Sequence, residues 1–400
     1  MSVLKEFYKL DFHNRIYILL LSCFWLLGYF TAFWRRVGIA EQGITVANLL
    51  LLLVLAFLCT RIWKNRIHFS DVALYMFLLF TYFINPIIYP LTAKLTSFYA
   101  VDVALGAMPF LFMGLIFNYK GYEKWISILS RVTIAINIFY TYLVSSSDEN
   151  GEELMVRAYI LLPSVLYLFW MYFEKHKYND LIFFLLGFFI ECSMGTRGPF
   201  VCILFFAAVY LFFFKKYKHA ILIRLVIVVG TLFLYLFSTN IAYVMVGLLS
   251  LFGKSTRIFD LMLDDALVNY EDSNGRDMIQ GFLLQRLDIN NGVGYGLFAD
   301  RLHGAYAHNI FVEMWYDFGY IYGSIIISVY LLLVALLLIK TNSANTKVFV
   351  LLFFCASFVK LQFSGSFIVD RYLFFLLGFC INGLREVNPS KVTQKYKLYN

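Results

Sequence analysis

His308 to Ile339 reads HNIFVEMWYDFGYIYGSIIISVYLLLVALLLI, a stretch of 32 residues whose last nineteen hold no charged side chain. As one helix it would run about 48 Å at roughly 1.5 Å per residue, against a hydrocarbon layer about 30 Å thick. The excess falls at the N-terminal end, so its first ten residues are expected to stand above a membrane or to line a cavity. Those residues carry Asn309, Glu313 and Asp317 at successive i,i+4 positions, which share one face of a helix, with His308 at the outer tip.

Runs of the same kind recur along the 400 residues. The chain is 61% hydrophobic and 14% charged, where water-soluble domains hold roughly 45–50% and about 25%. A soluble fold is excluded, and the expected class is an all-α polytopic membrane protein. Apolar runs bounded by charges or by Pro and Gly give twelve spans, near 16–34, 44–60, 71–89, 98–118, 125–144, 157–173, 181–195, 199–214, 220–251, 308–339, 346–363 and 368–384. The seventh and eighth are divided only by Gly195-Thr196-Arg197-Gly198-Pro199. The first run, Ile16 to Trp34, lacks a small-residue cleavage site and exceeds a typical signal core, so it reads as a span. Cys23, Cys59, Cys192, Cys202, Cys355 and Cys380 all lie in apolar runs with no CxxC, which points to packing and to neither a disulfide framework nor zinc.

Cations set the orientation. With the N-terminus cytoplasmic, the inside segments hold nineteen Lys and Arg, and the short outside segments hold Arg35, Arg36, Lys94, Arg157, Arg197 and Arg371. Both termini are then cytoplasmic. The net charge of +8 is mostly this bias, with attraction to anionic membrane lipids as a by-product, and a nucleic-acid partner is discarded. The chain divides into nine spans over 1–251, a large outer loop over 252–307 expected to hold short helices on the membrane surface, three spans over 308–385 and a cytoplasmic tail over 386–400.

Several motifs in the loop have plain readings. Gly253-Lys254-Ser255-Thr256 resembles the end of a P-loop, but position 248 is Leu and the segment faces away from cytoplasmic ATP. Gly292-Val293-Gly294-Tyr295-Gly296 lacks dinucleotide spacing and reads alone as a flexible turn. Asp264, Asp265, Glu271, Asp272 and Asp277 read as a solvated acidic face; no metal site and no cofactor is expected. Arg197 is more specific: a cation in a tight turn between two apolar spans is paired, here with Glu191, or snorkels, or clamps an anion bidentately. His308, beside Arg and Glu residues, is either a surface histidine or a proton acceptor near neutral pH.

Thr196-Arg197-Gly198 between two spans, Asn274-Gly275-Arg276 in a large outside loop, Gly294-Tyr295-Gly296, and His308-Asn309 with Glu313 before a Gly-rich span together resemble the O-antigen polymerase and O-antigen ligase superfamily. The likeness covers about 190–323 and the overall topology. It implies an inverting, metal-independent glycosyltransferase acting on undecaprenyl-diphosphate-linked sugars, donor and acceptor, at the outer face of the bacterial cytoplasmic membrane, with a chain-length regulator as a further partner. It also implies that Arg197 and Arg276 bind the diphosphate and that His308 is the loop histidine. His303 lies five residues earlier, which leaves the base open; Arg286 and Arg301 are further diphosphate candidates, and Asn309 and Glu313 join the expected site. The chemistry asks for the same groups: an acceptor hydroxyl aimed at the anomeric carbon, a proton acceptor, and positive charge where the diphosphate leaves.

A polymerase joining oligosaccharide repeat units is the leading expectation. A ligase moving glycan to lipid A-core shares the donor chemistry. A flippase for the same lipid-linked sugars would show repeated halves and a polar site at mid-membrane, whereas Asp102, Arg131, Arg224 and Lys360 are scattered and no repeat is evident.

Overall fold

A computed structural model describes residues 7–8, 10, 12–36, 67–117, 119–140, 151–194, 196–215, 224, 243–244, 246–247, 250, 276–304 and 306–387. Expected spans at 44–60 and, but for a few residues, 220–251 lie outside the described residues, as do Gly253–Thr256 and the acids from Asp264 to Asp272. Every extended element among the described residues is helical: α1 (Phe12–Arg36), α2 (Phe69–Ile88), α3 (Ala93–Val101), α4 (Phe110–Ile116), α5 (Tyr119–Phe139), α6 (Gly151–Lys175), α7 (Tyr178–Ser193), α8 (Arg197–Val209), α9 (Arg276–Ile289), α10 (Ile310–Lys340), α11 (Ala344–Phe354) and α12 (Arg371–Val387). Among the described residues four stretches are long and apolar enough to cross a membrane: Phe69–Ile88, Leu154–Lys175, Ile310–Lys340 and Ala344–Gln362.

The chain forms two compact units, one of Met1–Phe24, Thr31–Tyr122 and Arg276–Asn400, the other of Trp25–Phe30 and Glu123–Gly275. In the first, α4 and α12 meet backbone to backbone. A Cβ on Gly114 would lie 2.0 Å from the Phe375 carbonyl oxygen, and one on Gly378 would lie 2.0 Å from that of Leu111. Small residues let helices approach this closely where no hydrophobic force against lipid drives them together. Around the contact Phe117 stacks on Phe349 at 5.0 Å and meets Phe375 edge to face at 5.4 Å. Arg385, in the last turn of α12, holds buried Asp71 of α2 through bonds of 2.9 and 2.5 Å.

The run expected as one span over 98–118 is three pieces. α3 passes into a wider π-helical stretch at Asp102–Ala107, and α4 starts after Pro109. The 32-residue helix expected from His308 is likewise interrupted. Gly319 adopts φ 84°, ψ 163°, so a short helix over 310–318 precedes the long apolar rod. This break falls where the length argument located the excess.

In the second unit α6 is the most enclosed helix, with Tyr167 and Trp170 fully buried. Gly187 of α7 faces Ile134 of α5 and Val165 of α6, each 2.9 Å from where its Cβ would be. Arg131, left unassigned from sequence, donates through Nε and Nη2 to Oδ1 of buried Asp180 at 3.2 and 2.5 Å, a structural pair joining α5 to α7. Trp25 Nε1 donates to Ser164 at 2.8 Å.

Candidate functional site

The site is built on α9, the turn after it, and the break in α10. α9 stops in a Schellman arrangement: Gly292 N–H returns to the Leu287 carbonyl at 2.9 Å and Asn291 N–H to that of Asp288 at 3.0 Å, with Asn291 at φ 54°. The chain then runs against the broken segment of α10. Tyr295 N–H donates to Tyr316 O at 2.8 Å, Gly296 N–H to Asp317 O at 3.0 Å, and Tyr320 N–H to Gly292 O at 3.0 Å. A break in a helix frees backbone groups, and buried free groups cost about 1–3 kcal/mol each. Here the glycine strand satisfies them.

That contact explains the glycines. A Cβ on Gly294 would fall 2.3 Å from Asp317 O and 2.5 Å from Gly319 N, and one on Gly296 would fall 2.5 Å from the Tyr89 ring. The flexible-turn reading of Gly292–Gly296 is therefore corrected: the segment is a fixed backbone strut. Leu297 N–H donates to Asn85 Oδ1 at 2.9 Å, and Phe298, buried at φ 64°, packs on Tyr99 at 4.7 Å. Tertiary contacts hold a conformation that bulky residues rarely adopt.

The loop that follows brings the candidate residues into three groups. His308 and Arg276 form the first. Ala307 is pinned on both sides, its N–H donating to Asp300 Oδ2 at 2.9 Å and its carbonyl accepting from Gln280 Nε2 at 3.1 Å. His308 follows at φ 53°, its ring 3.7 Å from that of Tyr306, and its buried Nδ1 has no hydrogen-bond partner among the described residues. Burial, and then the charge of Arg276, push the imidazole down to about 4, so it is neutral at physiological pH. Arg276 opens α9 and donates to the Phe363 carbonyl at 3.2 Å.

His303 and Arg286 form the second group. Arg286 Nη1 lies 3.1 Å from His303 Nε2, and Tyr316 Oη lies 3.2 Å from the same nitrogen. A guanidinium only donates, so Nε2 accepts and its lone pair is engaged. Burial and Arg286 both lower the basicity of His303.

The third group is interior. Asp300, Glu313 and Asp317 are all buried. Asp300 accepts from Arg301 N at 3.0 Å as well as from Ala307 N, and burial raises its carboxyl above the usual range. Glu313 Oε2 accepts from Phe367 N at 3.2 Å. The Arg301 guanidinium lies 4.2 Å from the Tyr99 ring centroid and 4.9 Å from that of Phe298, with Nε buried and unbonded.

These placements revise several expected roles. Asn309 does not share a helical face with Glu313 and Asp317; it caps the helix, its Oδ1 accepting from Phe311 N at 2.9 Å and Val312 N at 3.4 Å. Glu313 is withdrawn from solvent and anchors Phe367, and Arg301 is packed over the Tyr99 and Phe298 rings. Arg197 is the first residue of α8 in the other unit, and its side chain lies outside the described residues. Its expected partner Glu191 is buried, and neither of its oxygens is hydrogen-bonded to another described side chain or backbone group. Among the described residues no group of three or more His, Cys, Asp or Glu side chains could hold a metal ion.

Asp300 and Gln280, which fix the loop, were missed in the sequence because isolated polar residues in a loop of this length carry no signal. Asn85 did carry one: an amide next to Pro86 inside an apolar run needs a partner. No protein family, curated protein or solved structure matches the chain.

Proposed function

We propose that the chain is a polysaccharide polymerase of the outer face of the bacterial cytoplasmic membrane, joining undecaprenyl-diphosphate-linked oligosaccharide repeat units. In the transfer, an acceptor hydroxyl oxygen attacks the anomeric carbon of the donor sugar. The bond from that carbon to the diphosphate breaks, the diphosphate keeps the electron pair, and the hydroxyl proton passes to a base. The observation that carries this reading is His308: an imidazole on a left-handed backbone whose buried Nδ1 has no hydrogen-bond partner among the described residues, with burial and then the charge of Arg276 lowering its basicity. Strain and unused hydrogen-bonding capacity cluster at functional sites.

His308 is the base and His303 is not, because the Nε2 of His303 already accepts from Arg286. An imidazole held near 4 is a weak base, but a diphosphate settling on Arg276 removes the charge that opposes its protonation, so basicity rises as substrate binds. Arg276, with Arg286 as a further candidate, stabilises the leaving diphosphate, for which a planar guanidinium is suited.

The test is a gel of surface glycan from a strain lacking this gene, complemented with wild type, Arg276→Ala or His308→Ala. The polymerase reading expects lipid A-core capped by a single repeat unit in the deletion strain and in both variants. Bare core with long glycan still on its lipid carrier marks a ligase instead. Repeat units trapped inside mark a flippase, and an unchanged ladder overturns all three.

A further inference from the structure

α9 is apolar on two faces, and only one is used. Leu283 and Leu287 are buried against Val312 and Tyr316 of α10. Met278, Phe282 and Ile289 point elsewhere: at 100° per residue they fall within about 40° of one another, on the far side of the helix. Met278 is 79% exposed and Ile289 75%. Neither is needed to hold α9 in place.

We propose that this stripe seats α9 in the headgroup layer of the lipid bilayer, beside the membrane-crossing part of α10. Three observations favour lipid as the occupant. First, the C-terminal end of α9 is tied to the start of the apolar rod, Tyr320 Oη donating to Asp288 Oδ1 at 2.8 Å. There Val293, Ile321 and Tyr322 are also exposed, so apolar side chains face outward where α9 meets the rod. Second, the charges are sorted. Arg286 borders the stripe and lies over the Phe282 ring at 5.2 Å, while Asp277 and Asp288 fall on the opposite flank. A single guanidinium beside the apolar face, with the acids turned away from it, suits the anionic headgroups of a bilayer. Third, Phe282 meets the His303 ring edge to face at 5.1 Å, so the stripe ends at the loop that carries the histidines. A lipid-linked molecule would reach that loop sideways from the bilayer.

The test does not depend on sugar transfer. Bimane is attached to Met278→Cys, Ile289→Cys and Asp277→Cys in the full chain, in vesicles of phosphatidylglycerol and phosphatidylethanolamine, with the labelled wild-type chain as background. Both stripe positions are exposed, so these variants keep the fold. Brominated lipid is expected to quench the two stripe positions and leave Asp277→Cys bright, with aqueous iodide giving the reverse. Iodide quenching at all three positions would place the stripe in water. Protection from both quenchers at Met278→Cys and Ile289→Cys would mean that a second copy of the chain covers it. Either result overturns the proposal, whatever reaction the chain performs.

Discussion

Gly294→Ala adds one methyl group at the strut that closes the break in α10. Its Cβ would lie 2.3 Å from Asp317 O, 2.5 Å from Gly319 N and 2.6 Å from Phe318 C, all backbone atoms. No side chain can swing aside, so the strut must lift. Lifting breaks the bonds from Tyr295 N–H to Tyr316 O and from Gly296 N–H to Asp317 O. Two lost bonds with buried groups left unpaired, together with overpacking, amount to about 3–6 kcal/mol. At about 2–4 °C per kcal/mol for a unit of 150–250 residues, Tm falls by about 6–24 °C. Gly281→Ala is the control: an added Cβ meets nothing within 4 Å on an exposed turn of α9, and removing a helical glycine stabilises by about 0.5–1 kcal/mol. Thermal unfolding of the purified chain, followed by tryptophan fluorescence, separates the two. If Gly294→Ala melted with wild type, the strut would not hold the break.

Gly114→Ala and Gly378→Ala each place a methyl 2.0 Å from a carbonyl oxygen across the α4–α12 contact, and each should abolish recovery of folded protein on a sizing column. Asp300→Ala removes the acceptor for Arg301 N and Ala307 N and should cost about 2–4 kcal/mol; Asp300→Asn, which keeps one acceptor, should recover part of that loss in the same melting assay. His308 sits below its ordinary value, so the folded chain resists a proton that the unfolded chain accepts: its contribution to stability is complete above about 6.5 and is lost as pH falls from there towards about 4. Histidine Cε1 NMR should show that titration near 4 and a rise in Arg276→Ala; a midpoint near 6.5 in both would remove Arg276 from its surroundings.

Much of this architecture is legible in the sequence because lipid imposes long apolar helices with a fixed length scale. The break between α7 and α8 shows as Thr196-Arg197-Gly198-Pro199, and the interruption of α10 shows as excess length. Its position at Gly319 does not, because Phe318-Gly319-Tyr320 resembles any glycine in an apolar helix until the partner strand is in place. The candidate site divides the same way. His308, Arg276 and Glu313 stand out by type and order, but the division of labour among them is tertiary. Asn309 looks like a ligand and is a cap; Arg301 looks like an anion clamp and is packed over Tyr99 beside buried acids. The two histidines are equivalent in sequence, and Arg286 is what distinguishes them.

If His308 is the base of glycosyl transfer and Arg276 holds the diphosphate, the purified chain in proteoliposomes, given undecaprenyl-diphosphate-linked repeat units, separates the variants by product size. A ladder of lipid-linked oligomers is expected for wild type and for His303→Ala, and single units only for His308→Ala and Arg276→Ala. A ladder from His308→Ala, or none from the wild-type chain, would contradict that expectation.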